Sequence, residues 1–333
     1  MVNTMNANKK KIIIDTDMGW DDWLAILFLM QHPNIELLGI TVTGVGEAHL
    51  TPGVQNARKL LELGGKRTVP VCAGTSKPLI YSNVFPPDFR QKIDTMFGLS
   101  LPPHQILPPI PSIPTKSAIE FLRETLSSSS EKITILSIGG LTNLGTLLRE
   151  YPGQFDNKIE KIFIMGGAIK ARGNVADFEG YYPNNITAEW NIFIDVLGAQ
   201  IVMDSAIPLT FVPLDAAYEV ELTLDFVTEF VQAAKTPCAQ FASKIMIAKL
   251  GQDMSAGFQE YFYDPLAAAV MVGIEKLVKK TAIMRLKVIQ ELNEEDDHSG
   301  QLVEDSSAKS VEVCMSVDSQ VFYNAFTTII NQE

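Results

Sequence analysis

Cysteine, histidine and positive charge are all scarce in this chain. Three cysteines, Cys72, Cys238 and Cys314, stand far apart among 333 residues. That spacing argues against a disulfide framework and against a zinc site, and it suits buried thiols in a reducing compartment. Of the four histidines, His32, His49, His104 and His298, only His49 follows a strand closely enough to reach a pocket, so imidazole chemistry has little to draw on. Lys and Arg number 27 against 39 Asp and Glu, a formal net charge of -12. Such a surface repels a phosphate backbone, so no nucleic-acid partner is expected, whereas carboxylates gathered in one pocket would attract a cation. Long apolar runs are missing too, which argues against a membrane span. Lys9, Lys10 and Lys11 are followed only by Ile12 to Ile14 before Asp15, too short a core for a signal peptide. A soluble, cytoplasmic protein is the expectation.

What is present is an alternation. Lys11–Asp15 (KIIID) reads as a buried strand and Asp21 to Gln31 as a helix closed by His32-Pro33-Asn34. A strand at Glu36–Thr43, a helix from Pro52 to Leu63 and a strand at Val69–Ala73 continue the pattern. Residues 76–114, with eight prolines from Pro86 to Pro114, read as an insertion with little regular structure. Alternation resumes with a helix near Thr115–Leu126, a strand at Lys132–Ile138, a helix at Leu141–Glu150 and a strand at Ile159–Met165. Residues 166–185 are a loop. Helices near Val196–Asp204, Leu222–Ala234, Cys238–Leu250 and Asp264–Val272 follow, with a strand at Leu209–Val212. A strand-helix extension over about 280–333 has strands at Ala282–Ile289 and Ser310–Val317, an exposed acidic connection at Asn293 to Gly300, and a helix at Ser319–Asn331. The prediction is a single α/β domain over 1–333, with a mainly parallel open sheet flanked by helices and a Rossmann-like core. Ligands of such sheets bind beyond the carboxyl ends of the strands.

The first such end is unusual. Asp15-Thr16-Asp17-Met18-Gly19-Trp20-Asp21-Asp22 sets four acids in eight residues. Capping and the helix dipole account for Asp21 or Asp22, but not for all four. Crowded like charges destabilise one another unless a cation intervenes. A hard divalent ion meets that need, and Ca²⁺ tolerates irregular carboxylate shells better than Mg²⁺.

This run resembles the N-terminal signature of the inosine-uridine nucleoside hydrolase family, D-T/C-D-P-G-x-D-D, with Met18 in place of the proline. Ser137-Ile138-Gly139-Gly140-Leu141-Thr142-Asn143 is similar to the family's G-x-L-T/S-N segment, and Ile164-Met165-Gly166-Gly167 to its L-M-G-G. Gly173-Asn174 and Ala188-Glu189-Trp190-Asn191-Ile192-Phe193-Ile194-Asp195 resemble its G-N and A-E-F-N-I-x-x-D. Asp264-Pro265 resembles its H-D-P. Each match is weak alone; in order, across most of the chain, they are specific.

The resemblance implies the nucleoside hydrolase fold and hydrolysis of the N-glycosidic bond of a ribonucleoside, through an oxocarbenium-like transition state. It implies Ca²⁺ held by Asp17, Asp22, Asp264 and the backbone carbonyl of Ile138, with Asp17 also the general base for the attacking water. It gives Asp21, Asn174, Glu189 and Asn191 to the ribose hydroxyls and lays Met165 against the sugar. The partner is then a small ribonucleoside, and the assembly a homodimer or homotetramer. Blander roles stand beside these: Asn174 as a turn residue, Asp264 as a helix N-cap before Pro265, Glu189 and Asn191 in a solvated loop, Met165 as core, and Thr142-Asn143 as local cap chemistry.

Two departures bear on the leaving base. Tyr263 stands where purine-accepting members have a histidine acid, and tyrosine, with a pKa of about 10, is a poorer donor near neutrality. Val45 replaces an asparagine after Gly44. Trp20 is expected in the pocket and Trp23 in the core, with Tyr181, Tyr182, Tyr261 and Phe262 as further stacking surface. Two alternatives stay open. One is a catalytically weak Ca²⁺-dependent nucleoside- or ribose-binding protein of the same fold. The other is a haloacid-dehalogenase-type phosphatase built on Asp15-Thr16-Asp17, although Gly19 stands where that motif wants Thr or Val.

Overall fold

The computed structural model describes residues 9–100, 116–256 and 259–332, with the backbone alone at 253–256. Among the described residues, nine strands form one sheet: β1 Lys10–Thr16, β2 Ile35–Val42, β3 Val71–Ala73, β4 Ile133–Ile138, β5 Ile159–Met165, β6 Leu209–Val212, β7 Val278–Val288, β8 Leu302–Glu304 and β9 Ser310–Val317. Their order is β3-β2-β1-β4-β5-β6-β9-β7-β8. Every pairing from β3 to β9 is parallel, and β7 runs antiparallel to both β9 and β8.

The apolar content of the central strands explains their position. A strand buried on both faces must be apolar at successive residues, each sent to the opposite side. Ile12 and Ile14 enter one apolar layer, shared with Leu24 and Leu266, and Ile13 enters the other, with Ile135 and Ile162. Burying each isoleucine contributes about 1.5–3 kcal/mol. The helix Trp20–Gln31 is apolar nearly all round, so it cannot lie on a surface. Every residue in it but Gln31 is buried, and it is enclosed by the helices Pro237–Ala256, Tyr263–Val272 and Ser319–Ile330.

The structure departs from the sequence expectations in several places. The 76–114 insertion contains an α-helix, Pro87–Asp94, and a 3₁₀ turn, Met96–Gly98. Pro87 stands in the first turn, where proline is tolerated because its missing N–H would have no partner. Arg90 holds this helix down, its guanidinium donating to the carbonyls of Gly44 and Ala48, each at 2.8 Å. His104 and the prolines from Pro102 to Pro114 lie outside the described residues. The stretch 280–333 is no appendage: β9 sits inside the sheet between β6 and β7. The acidic connection at 293–300 is partly buried, because Asn185 donates to the Asp297 carboxylate at 3.0 Å and to the Ser299 carbonyl at 2.8 Å. The short helices Trp190–Phe193 and Leu214–Ala217 and the strand β8 are too brief for a periodic signal. The three cysteines are free and buried. Among the described residues no helix is long and apolar enough to cross a membrane.

Candidate active site

The site forms where the chain leaves β1, β2, β4 and β5. β1 is central, pairing Asp15 with Thr41 of β2 and with Ser137 of β4, and Thr16 with Ile138. This register brings the ends of three strands to one level. β4 then passes so close that a Cβ on Gly139 would stand 2.5 Å from the Asp17 backbone nitrogen. A Cβ on Gly46, after β2, would stand 1.7 Å from an Asp17 carboxylate oxygen, so both positions need glycine.

Beyond β1 the backbone turns through Met18, at φ 62°, a left-handed conformation that costs a non-glycine residue about 1–2 kcal/mol. Side chains hold it there. The Met18 N–H donates to Thr16 Oγ1 at 2.9 Å, and Trp23 Nε1 donates to the Met18 carbonyl at 2.9 Å. Thr16 Oγ1 donates to one oxygen of Asp22, and the other takes the Gly19 N–H at 2.7 Å. Proline, fixed near φ -65°, cannot adopt this conformation and has no N–H to give. Methionine for the family's proline therefore goes with a specific backbone.

The turn delivers the acids. Asp17, Asp21, Asp22 and Asp264 are 3%, 6%, 1% and 3% exposed. Oxygens of Asp21, Asp22 and Asp264 gather within 4.8 Å of one another. Asp17 reaches the cluster beside Asp22, its Oδ2 accepting from the Glu47 N–H at 2.9 Å. Burial, then like-charged neighbours, pushes Asp21 up to about 7 and Asp22 and Asp264 well above the carboxylate range; burial raises Asp17 as well. Buried carboxylates in contact need a cation to be charged together. The acidic donor set, without imidazole or thiolate, fits a hard divalent ion. Asp264 lies inside the first turn of helix Tyr263–Val272, with Phe262 as N-cap, so it is not the cap considered from sequence. Asp21 joins the acid group, although the resemblance gave it only to a ribose hydroxyl.

A second wall comes from β5 and the segment before Trp190. Glu189 caps the helix Trp190–Phe193. One carboxylate oxygen takes the Asn191 N–H at 2.8 Å, and the other takes those of Gly167 at 2.9 Å and Ile192 at 3.3 Å. Burial nevertheless raises its pKa to about 7. Asn191 Nδ2 donates to the Met165 carbonyl at 3.1 Å, and Asn174 Oδ1 accepts from the Trp190 N–H at 3.1 Å. Glu189 and Asn191 are buried, not in a solvated loop.

One cavity of about 280 Å³ is lined by Asp17, Asp21, Asp22, Ile138, Met165, Asn174, Glu189, Asn191, Tyr263 and Asp264. The ten residues assigned metal, base, ribose or leaving-group roles from sequence thus line one cavity. Trp20 lines it too, and Trp23 is core. The other proposed stacking residues do not: Phe262 is buried core, and Tyr182 packs on Trp190 and Phe193. His49 is exposed and bonded to Asp94 at 2.7 Å. Val45 is buried in the same aromatic cluster as Phe85, Trp190 and Phe193. Thr142 and Asn143 are more than local caps. Thr142 donates to Asp195 at 2.7 Å, and Asn143 Nδ2 donates to Asp15 at 2.8 Å, leaving Asp15 a structural acid shared with Thr41.

Several lining residues escaped the sequence analysis: Glu47, Phe85, Phe89, Trp190, Lys249 and Glu260. Glu47 follows the end of β2, so the strand-end rule could have found it. Its Oε2 is buried without a hydrogen-bond partner, and burial beside Asp21 and Asp17 raises its pKa well above the usual range. Tyr263, the leaving-group candidate, lies beside Glu260, and burial pushes its phenol well above 10.

Parallel sheet, strand-end acids and sugar-sized cavity define a class. The chain belongs to the inosine-uridine preferring nucleoside hydrolase family, whose profile matches residues 12–324; it is an N-ribohydrolase. Uridine nucleosidase 1 of Arabidopsis thaliana is 32% identical over 284 residues, 84% of this chain and 78% of that protein. The pyrimidine-specific ribonucleoside hydrolase RihA of Shewanella baltica (strain OS185) is 30% identical over 237 residues, 71% of this chain and 69% of its own. Among solved structures, the inosine-uridine preferring nucleoside hydrolase of Bacillus anthracis superposes with TM-score 0.78 at 26% identity, covering 97% of this chain and 99% of that one. The purine-preferring ribonucleoside hydrolase of Gardnerella vaginalis gives 0.79 at 25%, covering 97% and 98%. The phosphatase alternative finds no support in these relatives.

Proposed function

We propose that the chain cleaves ribonucleosides to free base and ribose, using Ca²⁺ held by Asp17, Asp22, Asp264 and the Ile138 carbonyl, with Asp17 as general base. The observation that carries this reading is the convergence of four buried acids from residues 17–264 on the cavity that also contains Glu189 and Asn191. A divalent cation held there would supply positive charge that lowers the pKa of the attacking water and favours binding of vicinal hydroxyls. Asp17 takes the proton as the water oxygen bonds to C1′ and the C1′–N bond breaks, its electron pair leaving with the base. Asp21 accepts from a ribose hydroxyl at the edge of the acid group. Glu189, Asn174 and Asn191 hold the remaining hydroxyls, and the Glu189 carboxylate stabilises positive charge developing on the ring. Met165 covers one side of the sugar and helps to exclude water.

The test is a reducing-sugar assay over a panel of purine and pyrimidine ribonucleosides, on protein stripped of metal and on protein reloaded with Ca²⁺. Ribose release should appear on reloading. Folded, Ca²⁺-loaded protein that binds nucleoside and releases no ribose from any of the panel would instead favour the weak-binder alternative.

A further inference from the structure

The acidic cavity contains a cation that the metal and sugar chemistry leaves without a task. Lys249 lies in the helix Pro237–Ala256 and forms an ion pair with Glu260. The two side chains are only 8% and 14% exposed, and the ammonium stands 5.5 Å from the centre of the Trp20 ring. Lys249, Glu260, Trp20 and Tyr263 all line the cavity. Taking two charges this far out of water costs several kcal/mol per ion, and apolar residues of similar size would stabilise the fold as well or better. A buried pair that faces a ligand cavity is therefore better explained by what it does to the ligand. Tyr263 holds the position the resemblance gives to the leaving-group acid, but its phenol lies beside the Glu260 carboxylate, which is the natural acceptor of its proton.

We propose that Lys249, positioned by Glu260, donates the hydrogen bond that stabilises the departing base. The inference rests on the hydrolase reading above and names the residue that replaces histidine. As the C1′–N bond breaks, its electron pair passes onto the base and places negative charge on a ring nitrogen or exocyclic oxygen. The Lys249 N–H bonds that atom and transfers its proton to it, and solvent reprotonates the amine. The water proton goes to Asp17, so the sum is nucleoside plus water to base plus ribose. A charged donor makes a hydrogen bond roughly twice as strong as a neutral one, an advantage over a neutral phenol. The ligand class follows: a base with an acceptor nitrogen or carbonyl oxygen near the glycosidic nitrogen.

The experiment compares uridine and inosine with p-nitrophenyl β-D-ribofuranoside, whose phenolate leaves without protonation. In Lys249→Met, kcat should fall roughly 10²-fold more on the nucleosides than on the nitrophenyl riboside, the range typical of general-acid assistance. Lys249→Arg should recover part of the nucleoside activity. Because Lys249→Met strands a buried carboxylate, the double variant with Glu260→Gln is measured alongside and should show the same selectivity. Equal losses on both substrates, or unchanged nucleoside turnover, overturn the role of Lys249. Wild-type protein inert on the nitrophenyl riboside as well as the nucleosides overturns the hydrolase reading itself.

Discussion

Removing the cation should make the protein's stability fall as pH rises, and restoring it should cancel that slope. Asp21 is 6% exposed and its pKa lies at about 7 against an ordinary 3.8. A carboxyl whose folded pKa is raised stays protonated in the native state while the unfolded chain ionises. Stability is then full below about pH 4 and is lost up to the folded pKa. At 1.36 kcal/mol per unit, Asp21 alone accounts for about 4 kcal/mol between those limits. Unfolding entropy near 2.1 cal/mol/K per residue gives roughly 0.7 kcal/mol/K for a chain of this length, so that loss lowers Tm by about 6 °C. Asp22 and Asp264, also raised by burial and like-charged neighbours, deepen the loss. A bound divalent ion favours the charged forms and reverses these shifts. The assay is a thermal melt of metal-stripped and Ca²⁺-loaded protein in metal-free buffers from pH 5 to pH 8. Ca²⁺ should raise Tm far more at pH 8 than at pH 5. Apo protein whose Tm is flat or rises over this range, or parallel profiles with and without Ca²⁺, would refute the convergence of these acids on one ion.

Two variants extend the test. Asp17→Ala should cut ribose release at least about 10³-fold, consistent with a lost general base and a weakened metal site, with circular dichroism unchanged; near-normal turnover would remove Asp17 from the mechanism. Met18→Pro should destabilise the fold by more than about 1 kcal/mol, because proline cannot take the φ of 62° there, and weaken Ca²⁺ binding in calorimetry. A stable Met18→Pro protein with intact metal affinity would show that the loop tolerates the other backbone.

The parts legible in the sequence were those fixed by local pattern or by strand position. Ile12 to Ile14 followed by Asp15 already describes a central strand ending in acid, because burial on both faces demands an unbroken apolar run. The carboxylates were legible because four in eight residues exceed what a helix start can use. Lys249 and Glu260 were not, since each is unremarkable in its own segment and only the fold brings the stretch before helix Tyr263–Val272, which carries Glu260, against helix Pro237–Ala256. The closeness of Asp21 to Asp22 and Asp264 was hidden for a related reason: which oxygens gather there depends on the turn at Met18. The helix Pro87–Asp94 was hidden by its prolines. They were weighed as breakers, but Pro87 occupies the first-turn site where a missing N–H costs nothing, and Arg90 anchors the helix to Gly44 and Ala48, forty residues away.

The place of β9 has a consequence for how the polypeptide is made. β6 needs β9 as its outer neighbour, yet residues 213–309 must leave the ribosome first. Throughout that interval the largely apolar edge of Leu209–Val212, buried in the finished protein, offers its unpaired N–H and C=O groups to any extended strand nearby. Translation speed and chaperone cover across that window, more than the equilibrium strength of the completed sheet, then govern how much of the product reaches its native form.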